Sequence, residues 1–404
     1  MPPKVYVAAF GAGLGHAARM GAAAEVLENA GCEVIFSSWG DALRYLSARG
    51  FRCDETPSMD VGWDPQGGFA GTKDTLRRLP RMFGTFAHQV TREVDALREF
   101  HPDVVLSDSR LSTVVAAALL RLPTLVVTNQ LKLLLPTEGA DGIRRFSEKI
   151  GGEVLASVWS LSKEILLPDL PPPHTISEGN LWGIRSGAGK LRYVGFMVDL
   201  PRLGPDRLRS VRRHLGLDGE TPVVFAQISG PPATKQRLIK MLVNHEIRGS
   251  KYRLVVSGGY PNGSPEPKNH DGKLFFEWCS VKDELFSLAS AVLIRGGHGT
   301  IAQAILRGKP MVLLPIPHHT EQIGNAAKIA ALGAGITLDG VGLSSSDLDD
   351  AIGRVVEEEG YCRAVSGLRD LALRYDGVKT VANTVLEQLG QEPRVSLTTI
   401  PVSS

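Results

Sequence analysis

Three glycines, Gly296, Gly297 and Gly299, surround His298, with Arg295 before them and Thr300 after. The apolar run Ala291–Ile294 leads into them, and a short helical pattern spans 300–306. Glycines between a strand end and a helix start let backbone N–H groups converge on an anion, and the helix dipole adds to the attraction. A second apolar run, 311–314, ends in a Pro-rich loop, after which Glu321 and Gln322 open another helix. An anion cradle beside a loop carrying Glu and Gln suits a ligand with a diphosphate at one end and hydroxyls at the other, such as a nucleotide sugar.

A separate glycine loop, Gly11-Ala12-Gly13-Leu14-Gly15-His16, follows the first apolar run. A dinucleotide fingerprint needs a third glycine where His16 stands, and an acid ~20 residues on. Around Phe36-Ser37-Ser38 there is no acid, which disfavours a nicotinamide enzyme. His16, at a helix start, suits a general base, because an unperturbed imidazole titrates near neutrality. It equally suits a helix N-terminal residue bonding local backbone. Asp108, at the end of another strand, can orient that imidazole or N-cap the helix that begins at Arg110.

Such loops need strands and helices in alternation. In the first half, strands are expected at 4–10, 33–37, 103–107 and 124–127, and helices at 16–29, 41–49, 75–100 and 110–120. In the second half, strands are expected at 223–228, 253–257, 291–294, 311–314 and 335–338. The helices there are expected at 233–245, 282–288, 300–306, 321–332 and 346–358. The pattern predicts α/β architecture: two Rossmann-like, doubly wound parallel sheets flanked by helices. A Pro- and Gly-rich linker is expected within 171–205. The domains are then 1–190 and 205–365, with a last helix at 366–390 crossing back to the first and a disordered tail at 391–404.

With 404 residues, two domains are the default. The net charge of +2 is too small to argue for nucleic acid. Cys32, Cys53, Cys279 and Cys362 form no C-x-x-C pair, which favours a reduced, cytosolic compartment without structural zinc. Met1-Pro2-Pro3-Lys4 does not read as a signal peptide. The longest apolar run, 113–127, contains Arg121 and Pro123 and is too short to span a bilayer. A soluble or peripheral protein is expected.

The basic, amphipathic segment 73–90 places Leu76, Leu79, Phe83, Phe86 and Val90 on one face. It suits either an anionic membrane surface or the core, and Pro80 interrupts it. Lys132 to Pro136 and the stripe Ile143, Phe146, Ile150 and Val154 are expected to pack inward. His298, His318, His319 and Glu321 fit no familiar zinc spacing, so no metal is expected. Asp347 and Asp349 are read as compensating a helix dipole.

Together these residues resemble glycosyltransferases of the two-Rossmann-domain (GT-B) type with a cleft between the domains. The resemblance is to the family 28 group, which includes the bacterial GlcNAc transferase MurG and archaeal relatives. The glycine loop ending in His16 is similar to the family's N-terminal loop. The stretch from Arg295 to Ala327, with His318 and Gln322 four apart and then Asn325-Ala326, is similar to its donor-binding half. Pro168-Asp169-Leu170-Pro171-Pro172-Pro173, followed by Asn180-Leu181, is similar to archaeal members.

The resemblance implies that Gly296, Gly297, His298, Gly299 and Thr300 hold a donor diphosphate and that Glu321 and Gln322 bond the sugar. It also implies that Glu277-Trp278-Cys279-Ser280 lies against the base and that Ser229-Gly230 closes over the phosphates. Gly13 and Gly15 are expected on the acceptor side, and Asn129, at the end of the fourth strand, either lines that side or simply starts the loop. The implied reaction is attack of an acceptor hydroxyl on the anomeric carbon, with His16 as base, Asp108 behind it and Arg295 at the leaving group, without a metal or other cofactor. The retaining pattern E-x7-E fails because Leu313 stands eight before Glu321, so inversion is expected. The expected donor is a UDP-sugar carrying GlcNAc or another hexose. The expected acceptor is polyprenyl- or otherwise lipid-linked, at the cytoplasmic face of a membrane. In one departure, Gln303 stands where the family usually has a Glu that accepts from both ribose hydroxyls, whereas an amide offers one acceptor and a donor. A UDP-sugar 2-epimerase of the same fold, or a nucleotide-sugar-binding subunit without catalysis, are the competing readings.

Overall fold

The computed structural model describes residues 1–59, 72–132, 141–230, 232–245, 247, 251–260, 263–340 and 343–391, with backbone alone for 72–77, 79, 141–145 and 232–233. They form two α/β units: the first takes the chain up to Asp199 and again from Arg374, and the second runs Leu200–Leu373.

The strands of the first unit are β1 (Lys4–Ala9), β2 (Glu33–Ser38), β3 (Cys53–Glu55), β4 (Val104–Asp108), β5 (Thr124–Val127), β6 (Glu164–Leu167) and β7 (Leu191–Tyr193). They lie in the order β3-β2-β1-β4-β5-β6-β7, every pair parallel. The helices are α1 (Gly15–Asn29), α2 (Gly40–Ala48), α3 (Thr72–Phe100), α4 (Leu111–Leu119), α5 (Asp141–Trp159) and α6 (Glu178–Leu181). Strands covered on both faces read as unbroken apolar runs, and Val5 to Ala9 are fully buried. From β1 the chain first builds β2 and β3 on one side, then β4 to β7 on the other. The loops after β1 and β4 therefore diverge and leave a crevice at the carboxyl edge.

The second unit repeats this plan with β8 (Val223–Gln227), β9 (Arg253–Ser257), β10 (Lys268–His270), β11 (Lys273–Phe276), β12 (Ala291–Ile294), β13 (Met311–Leu313) and β14 (Gly335–Thr337). The order is β10-β11-β9-β8-β12-β13-β14, and only the β10–β11 pair is antiparallel. Its helices are α7 (Pro205–His214), α8 (Pro232–Val243), α9 (Lys282–Leu288), α10 (His298–Leu306), α11 (Thr320–Ala331), α12 (Ser345–Glu357) and α13 (Glu359–Ala372). Here the divergence falls between the loops after β8 and β12.

The chain then returns to the first unit as α14 (Gly377–Gln388). The expected single helix 366–390 is thus two helices in different units. Asp376 ends the continuity: its side chain accepts from Lys379 N and N-caps α14. Val381, Ala382, Val385 and Leu386 of α14 join Ala17, Met20 and Leu27 of α1 and Val5 and Val7 of β1 in one core. A Cβ on Gly377 would lie 2.5 Å from Gly195 O and 2.7 Å from Phe196 O, so only glycine permits this approach.

Other expectations change as well. β3, β6, β7, β10 and β11 are too short to show periodicity. The expected linker is largely a folded part of the first unit. Asp169, fully buried, accepts from the N–H groups of Leu170 (2.7 Å), Ile176 (3.1 Å) and Ser177 (2.8 Å) and from Ser177 Oγ (2.6 Å). That single carboxylate folds the 169–177 loop. α3 continues through Pro80. Val90 packs on the Tyr6–Phe100 core while Phe83 is exposed, and the side chains of Leu76 and Leu79 lie outside the described residues.

Phe146, Ile150 and Val154 do not pack inward but are exposed at 65%, 49% and 63%; residues 133–136 and the Ile143 side chain lie outside the described residues. Asp347 forms a capping box with Ser344, but Asp349 instead accepts from Tyr252 Oη (2.7 Å) and lies 2.8 Å from His245 Nε2. No described helix is long and apolar enough to cross a membrane.

Candidate active site

Asp108 closes β4, paired in register with Ala9 of β1. Ser109 turns the chain through a left-handed conformation (φ 54°), which costs a non-glycine residue about 1–3 kcal/mol. Its N–H is held by Val127 O (3.1 Å). α4 begins with Arg110 at its N-cap and no side-chain cap, so Asp108 is not the capping residue. Its carboxylate turns to α1. Oδ1 lies 2.9 Å from His16 Nδ1 and accepts from Arg19 Nη2 (2.5 Å), and Oδ2 accepts from Arg19 Nε (2.6 Å). Burial pushes the Asp108 carboxyl up, but the Arg19 guanidinium and then His16 outweigh it and hold it well below the usual carboxylate range. An imidazole that donates Nδ1–H to this anion presents Nε2 as an acceptor. The His16 side chain is 26% exposed, so a ligand can reach it.

Aromatic rings pack beside His16, tilted and edge-on. Phe10 lies 5.5 Å from the imidazole and 5.1 Å from Trp39, centroid to centroid. A Cβ on Gly11 would lie 2.3 Å from the Trp39 ring, so that glycine is required. The Arg110 guanidinium lies over Trp39 at 4.6 Å. Arg110 pairs with fully buried Glu93, which also accepts from Tyr6 Oη (2.9 Å) and Ser37 Oγ (2.7 Å). Gly13 (φ 79°) and Gly15 have open space where a Cβ would stand. Asn129 is buried just beyond β5, where Thr128 Oγ1 accepts from Gln130 N (3.1 Å) and holds the turn.

In the second unit, Arg295 leaves β12 beside Gln227, because Ile294 and Gln227 are register partners. Arg295 is 4% exposed; Nη1 donates to Thr234 O (3.4 Å) and Nε finds no partner. Burial pulls its pKa down to about 10. Gly296 takes φ 84°, and a Cβ there would lie 2.8 Å from Gln322 O. Gly297 caps α10 without a side chain, and His298, Gly299 and Thr300 form its first turn. Gly297 and Gly299 face open space. Gly230 (φ 115°) bends the chain just after β8, with Ile316 Cδ1 3.0 Å from its missing Cβ. Gln227 Oε1 and Gln303 Oε1 are buried without hydrogen-bond partners. Each such acceptor costs about 1–3 kcal/mol until something donates to it.

Two expected sugar or base contacts are placed differently. Gln322 points its Oε1 at Ile316 N (3.0 Å) and so braces the Pro-rich loop, and Glu321 is the acid in the first turn of α11, partly buried. Cys279 is buried, and burial pushes its thiol up to about 12; Trp278, 37% exposed, offers the aromatic surface of that segment. His319 caps α11 by accepting Gln322 N at Nδ1. Burial pulls its imidazole below the usual value, with Glu321 opposing and Arg295 reinforcing by less. Asn325 Nδ2 donates to Gly296 O (3.1 Å) and ties α11 to the glycine loop. Sequence reasoning missed Arg19, Trp39, Arg110 and Gln227. Arg19 alone carried a signal, three residues after His16 on one helical face.

Residues 236–366 match the model of the glycosyltransferase family 28 C-terminal domain. An uncharacterized glycosyltransferase of Methanosarcina acetivorans is 28% identical over 96% of this chain and 99% of its own length. A UDP-N-acetylglucosamine–N-acetylmuramyl-(pentapeptide) pyrophosphoryl-undecaprenol N-acetylglucosamine transferase of Symbiobacterium thermophilum is 30% identical over 35% of this chain and 36% of its own. The crystal structure of the glycotransferase of kitacinnamycin superposes with a TM-score of 0.69 at 14% identity, covering 96% of this chain and 99% of that one. The chain is a glycosyltransferase of the GT-B fold, similar over residues 236–366 to the family 28 C-terminal domain and over 96% of its length to an archaeal glycosyltransferase.

Proposed function

We propose that the protein transfers a hexose, GlcNAc or a close relative, from a UDP-sugar to a hydroxyl of a lipid-linked acceptor, with inversion and without a metal. The observation that carries the donor half is Arg295. A guanidinium buried at the sheet's divergence, with an unpartnered Nε and the Gly296–Gly299 loop beside it, is suited to a diphosphate. Gln303 Oε1, one helical turn into α10, supplies an acceptor for a ribose hydroxyl. Trp278 supplies a ring face for the base, and Glu321 an acid for the sugar.

In the first unit, His16 Nε2 takes the acceptor proton as the acceptor oxygen bonds to the anomeric carbon. The C–O bond to the nucleoside diphosphate breaks and its electron pair leaves with the phosphate oxygen. Arg295 and the α10 N-terminus meet that charge. The lipid-linked acceptor is supported by the name of the Symbiobacterium relative and by the exposed stripe Phe146, Ile150 and Val154 on α5, with which such a protein would rest on a membrane surface.

A thermal-shift panel of UDP, GDP, ADP, TDP and UDP-sugars tests the donor. A ligand at ~100 times its Kd adds about 2.7 kcal/mol of stability. The expected result is a shift with UDP and a larger one with a single UDP-sugar. No shift with any nucleotide would remove the donor assignment. Product formation without an acceptor would favour the 2-epimerase reading.

A further inference from the structure

His16 and Arg19 stand three residues apart on one face of α1, and both reach one fully buried carboxylate. Arg19 grips Asp108 side-on through Nε and Nη2, while His16 Nδ1 shares Oδ1 with it. Arg19 Nη2 is then 3.1 Å from His16 Nδ1. A guanidinium cannot accept a hydrogen bond. With Oδ1 at hand, Nδ1 keeps its proton and the two donors lie side by side.

The charges follow. Asp108 and Arg19 cancel while the imidazole is neutral. A protonated His16 would add a net positive charge beside a guanidinium whose side chain is 11% exposed. Glu33 of β2 faces Lys4 and Arg52, and Glu28 lies near the far end of α1. Glu93 is closed on Arg110, whose Nη1 lies on Ala9 O. Of the helices packed on α1, α2 closes Asp41 on Arg44, and α14 closes Asp376 on Lys379 and carries Glu387 exposed near its far end. Glu25 of α1 itself is closed on Arg49. α4 has no charged residue.

We propose that Arg19 is a positioning residue: by sharing Asp108 it holds His16 protonated on Nδ1 and open at Nε2, and it offsets the pull of Asp108 on a second imidazole proton. A closed imidazole–carboxylate couple would otherwise capture a proton early and hold it. The proposal rests on His16 being the base.

The test follows the His16 imidazole of the full-length protein, labelled with 13C-histidine and assigned by the signal lost in His16→Gln, through a pH titration. Arg19→Met should move the midpoint of that titration to higher pH by about one unit, the usual size of a lost neighbouring charge. The acid limb of kcat/KM should move the same way by the same amount. Arg19→Lys keeps the charge without the fork and should return the midpoint close to the parent value. A midpoint that stays or falls in Arg19→Met, in protein that still melts cooperatively, overturns the proposal, as does a Lys variant that behaves like the Met variant. If His16→Ala turns over normally, the base reading fails by itself, while the imidazole titration still decides whether Arg19 governs His16.

Discussion

Arg295→Met removes a charge that the fold carries at a cost and, in the proposed reading, carries for a ligand. Arg295 is 4% exposed, and burial pulls its pKa down to about 10, against an ordinary value above 12. More than two pH units at ~1.4 kcal/mol each mean that keeping the guanidinium charged costs the folded protein about 3 kcal/mol. Methionine retains much of the aliphatic stem but gives up the bond to Thr234 O, a loss of about 1 kcal/mol. Without ligand, the variant should be more stable by about 2 kcal/mol, a rise in Tm of about 4–8 °C for a unit of this size. Because the folded value is depressed, the cost is fully present below about pH 10 and fades only above it. The gain should therefore be equal at pH 6 and pH 8. UDP, in contrast, should lose charge-assisted bonds worth about 1.5–3 kcal/mol, a ~10- to 150-fold weaker Kd. Thermal melts at both pH values, with calorimetric titration of UDP and pyrophosphate, measure both sides. A variant that melts below the parent without ligand would refute the cost argument. Unchanged binding of both ligands would show that the guanidinium does not meet the diphosphate.

His16→Ala should cut transfer by ~100-fold or more while leaving the Kd for UDP unchanged, since loss of a general base costs about that much; near-normal turnover removes the assignment. Asp108→Asn leaves Arg19 facing a neutral amide in a buried place and should cost about 3 kcal/mol or more at pH 7. The Asp108 carboxyl is held below its usual range, so the stability it supplies is present above about pH 4 and drains away as the pH falls further. Denaturant melts of parent and variant should converge toward pH 2, and a gap independent of pH would contradict the ion-pair account. Glu321→Ala should weaken a UDP-sugar more than free UDP in parallel titrations; equal losses mean that Glu321 does not touch the sugar.

The two sheets were legible because their central strands are continuous apolar runs and their loops carry glycines at the strand ends. His16 and Asp108 could each be named from such positions, but not their distance, since a sequence separation of 92 says nothing of strand order. Arg19 was passed over because a helical arginine ordinarily reads as solvated surface, although its place three residues after His16 was a signal. Gln322 and Asn325 were legible as types, yet their partners, Ile316 N and Gly296 O, are backbone groups on other loops that no periodicity reveals. The break at Asp376 carried a signal, an Asp before Gly377 and three before Lys379, which the surrounding helical pattern masked. The exposed stripe on α5 has the spacing of a core face, and sequence spacing does not say whether anything covers it.

The return of α14 to the first unit has a consequence for biosynthesis. Chain elongation begins with β1 and α1 but delivers Val381, Val385 and Leu386 only after the whole second unit has been made. Three such side chains, at about 1.5–3 kcal/mol each when buried, are a large share of a marginal stability. The unit begun first is therefore completed last, and its apolar surface on β1 and α1 waits uncovered while the second unit emerges and folds. A stop codon just before α14 would leave every residue of the His16–Arg19–Asp108 cluster in the message and still deprive that cluster of the core beneath it.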